Sequence, residues 1–537
     1  MVEKQGTDTV DVVTVGGGAA TEPDAAPAVV TDPRSRRAIL LTVSIALMAV
    51  VASVSGLNVA QPHLAATFDA AQGTVLWIIN IYTLTLAALL LPLGAAGDRW
   101  GRRPVLVLGL VIFGVANITA AVAPTVELML ASRLLAGAGA AMIMPVTLSV
   151  ITSTFPGEAR SRAIGVWTAV AGGGGIVGMY LSALLVDVAT WRWLFALPVV
   201  LTVVALASSV TAVPNSRQPA NGRYDILGAV TSVVVAVGLT FALHEAPALG
   251  WAHPAILVTL GLAVAATGAF VAWELHTPAP LLDVRAFRSR GLSSGSVLLL
   301  VLFGVQAGIS LVLYPYFQVV LGWSGLVATL GLMPLALLMM AASGLAPKAS
   351  LRFGTRTTMA AGLALAGTGL ALMALLVSAD GGYLTVLPGL IVLGLGTGLA
   401  MTPSTEAITS ALPDRQQGVA SAINDLTREL GAALGIALLG GLLTAGYQSA
   451  IAPRLEGLPG HLARAANEGV ANAFVAGQSA GPFAERLMSA AADAFVTGWQ
   501  QAMWVGVALA GALFVFVLSR APRTVTAPSD SSTEGTA

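Results

Sequence analysis

Fourteen times along this chain an apolar run recurs that is long enough to cross a bilayer, which takes roughly 20 helical residues. The runs fall near 38–60, 75–97, 104–123, 127–151, 161–186, 193–213, 224–246, 255–274, 293–318, 325–346, 355–378, 385–411, 417–446 and 497–519. They specify an all-α polytopic membrane protein with fourteen transmembrane helices. Only 10% of the residues are charged, against roughly 25% in soluble domains, and the mean hydropathy is +0.84. The 59 glycines agree, because small residues let membrane helices approach closely. A net charge of zero gives no electrostatic footprint for nucleic acid. With no cysteine, disulfides and thiolate metal sites are excluded, and five scattered histidines show no ligand spacing. No metal and no cofactor are expected.

Residues 1–37 and 520–537 are polar and rich in Ala, Pro, Gly, Ser and Thr, and are expected to be disordered tails. Between them the spans divide into a six-helix bundle at 38–213, two inserted helices at 214–292 and a second six-helix bundle at 293–519. With the N-terminus inside, Arg99, Arg102, Arg103, Arg160, Arg162, Arg217, Arg223, Arg285, Arg288, Arg290, Lys348, Arg352, Arg356 and Arg415 lie in inner loops, and only Arg192 lies in a short outer one. The positive-inside rule then puts both termini in the cytoplasm. The single long loop, 447–496, faces outward; "HLARAANEGVANAF" and "FAERLMSAAADAFVTGW" predict two amphipathic helices that cap the last two spans.

The chain repeats itself. "DRWGRR" (98–103), between helices 2 and 3, echoes "LRFGTR" (351–356), between helices 10 and 11. "MPVTLSVITSTFP" (144–156), ending helix 4, echoes "TPSTEAITSALP" (402–413), ending helix 12. Helices 1–6 therefore repeat as 9–14, and helices 7 and 8 are an insert. Like halves around a midplane cavity are a common design of secondary transporters.

Charges inside spans are costly, at least ~2.5–3.5 kcal/mol each at the bilayer centre. Helix 13 nevertheless carries Asp425, Arg428 and Glu429, about 12–18 Å from its inner end at 1.5 Å per residue. Asp425 and Glu429 are i, i+4 and share a face, with Arg428 beside them. Glu406, about five residues from the inner end of helix 12, can approach the same cavity. Three carboxylates and one arginine in low dielectric cannot all stay charged, so one acid must hold a proton. The expected arrangement pairs Asp425 with Arg428 and makes Glu429 the proton carrier, with Glu406 in reserve; a purely structural ion pair is the other reading. In helix 4, Arg133 lies about 9 Å from the outer end and should face the bundle interior. Polar and aromatic residues within spans, Asn58, Trp77, Asn80, Tyr82, Gln306, Tyr314, Tyr316 and Gln318, are candidate substrate contacts. Those of "YPYFQ" (314–318) also suit an interfacial aromatic belt.

The stretch "GAAGDRWGRRPVL" (Gly94–Leu106) resembles the loop 2–3 signature of the major facilitator superfamily, G-x-L-x-D-R-x-G-R-[RK], with only Ala96 off pattern. The resemblance makes Gly94, Gly97, Asp98, Arg99, Gly101, Arg102 and Arg103 a gating loop that latches the inner end. "RLLAGAGAAMIMP" from Arg133 is similar to the superfamily's R-x-x-x-G-x-G-x-x pattern. With fourteen helices, "WIINIYTLTLAALLLPLGAAGDR" and "NDLTRELGAALGIALLG", residues 38–519 resemble the fourteen-helix drug:proton antiporter branch of QacA/EmrB type. This implies a major facilitator fold of two six-helix bundles plus two inserted helices, in a cytoplasmic membrane. It also implies a monomer that exports amphipathic small molecules against inward-moving protons and performs no covalent chemistry.

Three departures from the branch stand out. Ser53 and Asn80 occupy positions where it usually has acids in helices 1 and 2. The helix 5 antiporter signature, G-P-x-x-G-G, is reduced to Gly178, Met179, Ser182 and Ala183, although Gly172 to Gly175 still give a smooth face. Losing both acids favours neutral or anionic substrates over dications and leaves Arg133 without an obvious acidic partner. A uniporter or importer, and a non-transporting membrane sensor, are the rival readings.

Overall fold

A computed structural model describes residues 30–70, 72–216 and 224–523; Arg217 and Arg223 lie outside the described residues. Among these residues there is no strand, and fourteen helices are long and apolar enough to cross a membrane. In chain order they are α1 (Pro33–Val59), α2 (Gln72–Trp100), α3 (Arg102–Ala121), α4 (Val126–Thr154), α5 (Gly157–Val188), α6 (Ala196–Ala212) and α7 (Ile226–Leu249). The series continues with α8 (Pro254–His276), α9 (Arg290–Pro315), α10 (Met333–Phe353), α11 (Thr355–Leu376), α12 (Tyr383–Thr409), α13 (Gln417–Ile451) and α14 (Ala484–Arg520). An even number of crossings leaves both ends of the described chain at one end of the bundle, here the termini end.

Local chemistry sets the boundaries. α1 begins at Pro33, inside the expected tail, because Asp32 accepts from the amides of Arg34 and Ser35 and Pro33 fits the first turn. The tenth span is broken into Gly325–Gly331 and α10, with Pro334 at the restart. After Pro315, α9 closes in a π-helical turn at Tyr316–Val320. In the long far-end loop, Gly460–Glu468 and Val470–Gln478 are separate short helices parted by Gly469. The second amphipathic stretch is not a free-standing helix. It is the first part of α14, since nothing between Ala484 and Trp499 breaks the backbone.

The repeat is visible in the packing. In the first half α1 packs on α4, α5 and α6, α2 on α4, and α3 on α4 and α6. In the second half α9 packs on α12, α13 and α14, α10 on α12, and α11 on α12 and α14. The halves meet through a matching set, α2 and α4 against α13, and α10 and α12 against α5. α7 wedges against α2 and α13, and α8 packs outside α7.

The two echoing turns have the same geometry. Gly101 and Gly354 stand at φ 104° and 85°, a region closed to most side chains. The amide of Arg102 donates to the Ser216 carbonyl and that of Thr355 to the Arg523 carbonyl, both at 3.1 Å.

Close helix crossings rest on glycine. A Cβ at Gly435 would lie 1.8 Å from the Gly304 carbonyl oxygen, and one at Gly308 would lie 2.9 Å from the Gly435 oxygen. The G-x-x-x-G spacing on α9 and on α13 thus brings the two backbones together. Gly435→Ala should destabilise the second half by about 1–3 kcal/mol, the range for overpacking. A lowered thermal midpoint of purified protein in detergent is the expected readout, and an unchanged midpoint would remove this crossing from the account.

Candidate functional site

At the termini end the turn between α2 and α3 reaches across to the other half. Asp98, at the end of α2, pairs with Arg102 at 2.9 Å through one carboxylate oxygen. Its other oxygen accepts from the amides of Gly418 (2.7 Å) and Val419 (3.2 Å), in the first turn of α13. Those amides have no partner within their own helix, and α13 has no side-chain cap of its own. A carboxylate at a helix N-terminus also opposes the positive end of the helix dipole. α2 comes this close because Gly94 faces Gly418: a Cβ on Gly94 would lie 2.6 Å from the Gly418 oxygen. Gly97 packs on Val146 of α4, and Arg99 lies in the last turn of α2.

Further contacts hold the same end. Fully buried Arg102 also reaches the Asp414 carbonyl (3.4 Å) and Ser216 (3.3 Å). Arg103 donates to the Val210 carbonyl within its own half. Arg160 on α5 donates to Gln417 at 3.4 Å, and Ser161 donates its hydroxyl to Glu406 on α12. Glu406 is therefore bonded to α5 at the termini end, and no bond joins it to Asp425 or Glu429 among the described residues.

Deeper in, Asp425 is 0% exposed and Arg428 is buried. Their ion pair is long, 3.4 Å, and one Asp425 oxygen has no partner. Arg428 makes a better bond across the seam, 2.9 Å to the Ala171 carbonyl of α5, with its guanidinium over Phe303 and Trp167 at 4.3 and 5.3 Å from the ring centres. Glu429, half-buried, has no hydrogen bond or ion pair among the described residues and lies within electrostatic reach of Tyr82 in the other half. The α5 glycine run makes this seam narrow: Gly172 packs on Met339, and its carbonyl accepts from Gln306 at 3.5 Å. Gly175 is half-buried on the same run, and Gly178 packs against Ala52 of α1.

Arg133 is held within the first half. It donates to the Ser53 hydroxyl at 3.1 Å and stacks on Tyr82 at 4.2 Å, while Ser53 donates to Asn117 at 3.2 Å. It has no carboxylate partner among the described residues.

The candidate substrate contacts scatter. Tyr82 and Tyr316 are 0% exposed, so neither presents a face to a cavity. Tyr316 bonds the Ser378 carbonyl (2.9 Å) and packs with Phe317 and Trp499 near the far end, and Tyr314 bonds the Gly325 carbonyl (3.3 Å). Gln318 is exposed there. Trp77 meets Phe241 of α7, Asn80 is half-buried, and Asn58 sits in the last turn of α1 with its side chain outside the described set. A largely apolar cavity of ≈ 1190 Å³ opens between α7, α9 and α13, lined by Leu243, His244, Trp251, Leu311, Leu438 and Gln448 among others. Ser161, Trp167, Ala171, Phe303 and Gln417 join these networks without any motif to announce them, since each is brought in by proximity between distant helices.

Two repeated helical halves, joined by polar contacts at one end and by ionisable groups on their seam, define a secondary transporter of small molecules. The Major Facilitator Superfamily model matches residues 43–436, and the chain belongs to that superfamily. It is 32% identical to the multidrug efflux pump LfrA of Mycolicibacterium smegmatis over 82% of this chain and 87% of that one. It is 32% identical to the methyl viologen resistance protein SmvA of Salmonella typhimurium over 77% and 83%. To the methylenomycin A resistance protein of Bacillus subtilis it is 29% identical over 75% and 86%. Among solved structures, the human organic anion transporter MFSD10 (TETRAN) shares the fold at TM-score 0.57 and 15% identity, over 89% of this chain and 100% of that one. The proton:xylose symporter XylE does so at TM-score 0.57 and 13% identity, over 92% and 98%.

Asp98→Ala should strand buried Arg102 and cost about 3–5 kcal/mol, as breaking a buried ion pair does, whereas Asp98→Asn should cost less. Denaturation midpoints of the two variants in detergent test the order. Equal midpoints would mean that the charge of Asp98 carries none of the gate's stability.

Proposed function

We propose that this chain is a proton-driven exporter of amphipathic small molecules, working as a monomer in the cytoplasmic membrane with both termini in the cytoplasm. The observation that carries the reading is the α13 cluster. Glu429, which has no hydrogen bond or close ion pair among the described residues, stands on the seam within electrostatic reach of Arg428, which divides its bonds between Asp425 and the opposite half. A group that must load and unload a proton as access alternates needs such a place, partly shielded yet not locked into a salt bridge. Asp425, Arg428 and Glu429 form the coupling set, with Arg133 fixing the first half. The relatives named for multidrug efflux support drug-like cargo. The excess of arginine in the loops at the termini end supports the orientation.

Accumulation of a fluorescent amphipath in efflux-deficient cells tests this. Wild type should keep the dye out, a protonophore should abolish that, and Glu429→Gln should behave like cells without the transporter, with Asp425→Asn intermediate. Extrusion that survives both the protonophore and Glu429→Gln would refute proton coupling at this site.

The substrate charge follows from Arg133. Its partner is the neutral Ser53, so the first half holds an uncompensated positive charge that disfavours dications and suits neutral or anionic amphipaths. Ser53→Asp would pair with Arg133 and should raise export of a dication such as methyl viologen relative to a neutral dye. An unchanged ratio would separate cargo charge from Arg133.

A further inference from the structure

α5 and α13 are equivalent helices of the repeat. Aligning "PGEARSRA" (156–163) with "PDRQQGVA" (413–420) pairs Arg160 with Gln417 and Ser161 with Gly418. Arg160 and Gln417 are hydrogen-bonded to each other, so this position lies where the axis relating the halves crosses the seam. One residue on, Gly418 is held by Asp98 of the opposite half. The repeat would hold Ser161 through residue 351, but that residue is Leu351, which is 65% exposed and has no acceptor. The residue before α5, Pro156, supplies no side-chain cap either. Ser161 is instead bonded to Glu406, which comes from α12.

We propose that Glu406 is the second bolt of the termini-end gate, the counterpart of Asp98 supplied by a neighbouring helix, and that it acts as a positioning residue and not as a proton carrier. The proposal rests on reading the chain as an alternating-access exporter. Each bolt is an acid of one half holding the start of a seam helix of the other, so opening this end must break both. The bolts differ chemically. Asp98 receives two backbone amides and faces a helix dipole, so its charge matters. Glu406 receives a hydroxyl, for which a neutral amide oxygen is also a competent acceptor.

The chain has no cysteine, so one introduced thiol reports alone. Ser421, 0% exposed and one turn inside Gln417, accepts a near-isosteric Ser421→Cys change behind the gate. Its maleimide labelling rate is measured on the purified full-length protein in detergent. In that background Glu406→Ala and Ser161→Ala should each speed labelling about tenfold, the scale of one lost charged hydrogen bond. Glu406→Gln should stay within about twofold of the parent and restore the efflux lost in Glu406→Ala. Labelling unchanged in both Glu406→Ala and Ser161→Ala overturns the proposal. So does a Glu406→Gln protein that labels slowly but has lost protonophore-sensitive efflux, because the acid would then be a carrier. Labelling needs neither substrate nor gradient. Fast labelling in Glu406→Ala combined with protonophore-resistant wild-type efflux would therefore uphold the bolt while refuting proton coupling.

Discussion

Asp98 places a negative charge on the first amides of a helix that belongs to the other half of the chain. Nothing covalent joins α2 to α13 nearby, so the closed state of the termini end depends on contacts of this kind. The geometry is demanding. Gly94 and Gly418 must be bare for the backbones to approach, Gly101 must take a positive φ to turn the chain, and Arg102 must neutralise the acid from behind. A carboxylate so held is stable while the halves touch and loses two amide donors when they part. In the proposed mechanism such a contact breaks and re-forms as rigid halves rock without unfolding.

The seam handles its other charges differently. Arg428 is buried, yet its bond to Asp425 is longer than its bond to the α5 backbone. Phe303 and Trp167 supply aromatic faces to the guanidinium, which partly replaces the water it has lost. Arg133 uses the same device, with Tyr82 below it and the Ser53 hydroxyl at its edge. Aromatic faces and carbonyls tolerate arginine without fixing a carboxylate in place. In the proposed mechanism Glu429 is thereby left to respond to protons, while Asp425 keeps its long bond to Arg428.

Much of the architecture was legible in the sequence because a bilayer writes its demands in composition and length. The fourteen runs, the insert between two six-helix halves and the echo of "DRWGRR" in "LRFGTR" are all local signals, and matching turns at Gly101 and Gly354 realise that echo. The reach of Arg428 to Ala171 and of Glu406 to Ser161 was not legible, since it depends on how α5 meets α12 and α13. Depth along a helix puts Glu406 near the inner end, but it cannot show that Ser161 of α5 is the group that meets it there. Tyr82 and Tyr316 were chosen for residue type, and burial against Arg133 and Trp499 took them out of any cavity. The amphipathic pattern after Phe483 specifies a helix, but periodicity alone cannot show that it runs unbroken into the last span, as α14 does.

In the proposed mechanism, movement of cargo in one direction compels protons to move in the other. Purified protein in liposomes enclosing a pH-sensitive dye measures this without cellular metabolism. A substrate gradient imposed across the membrane should drive substrate downhill and acidify the compartment it leaves, with the proton signal lost in Glu429→Gln. Downhill substrate flux with no movement of protons would contradict the account and make the chain a uniporter.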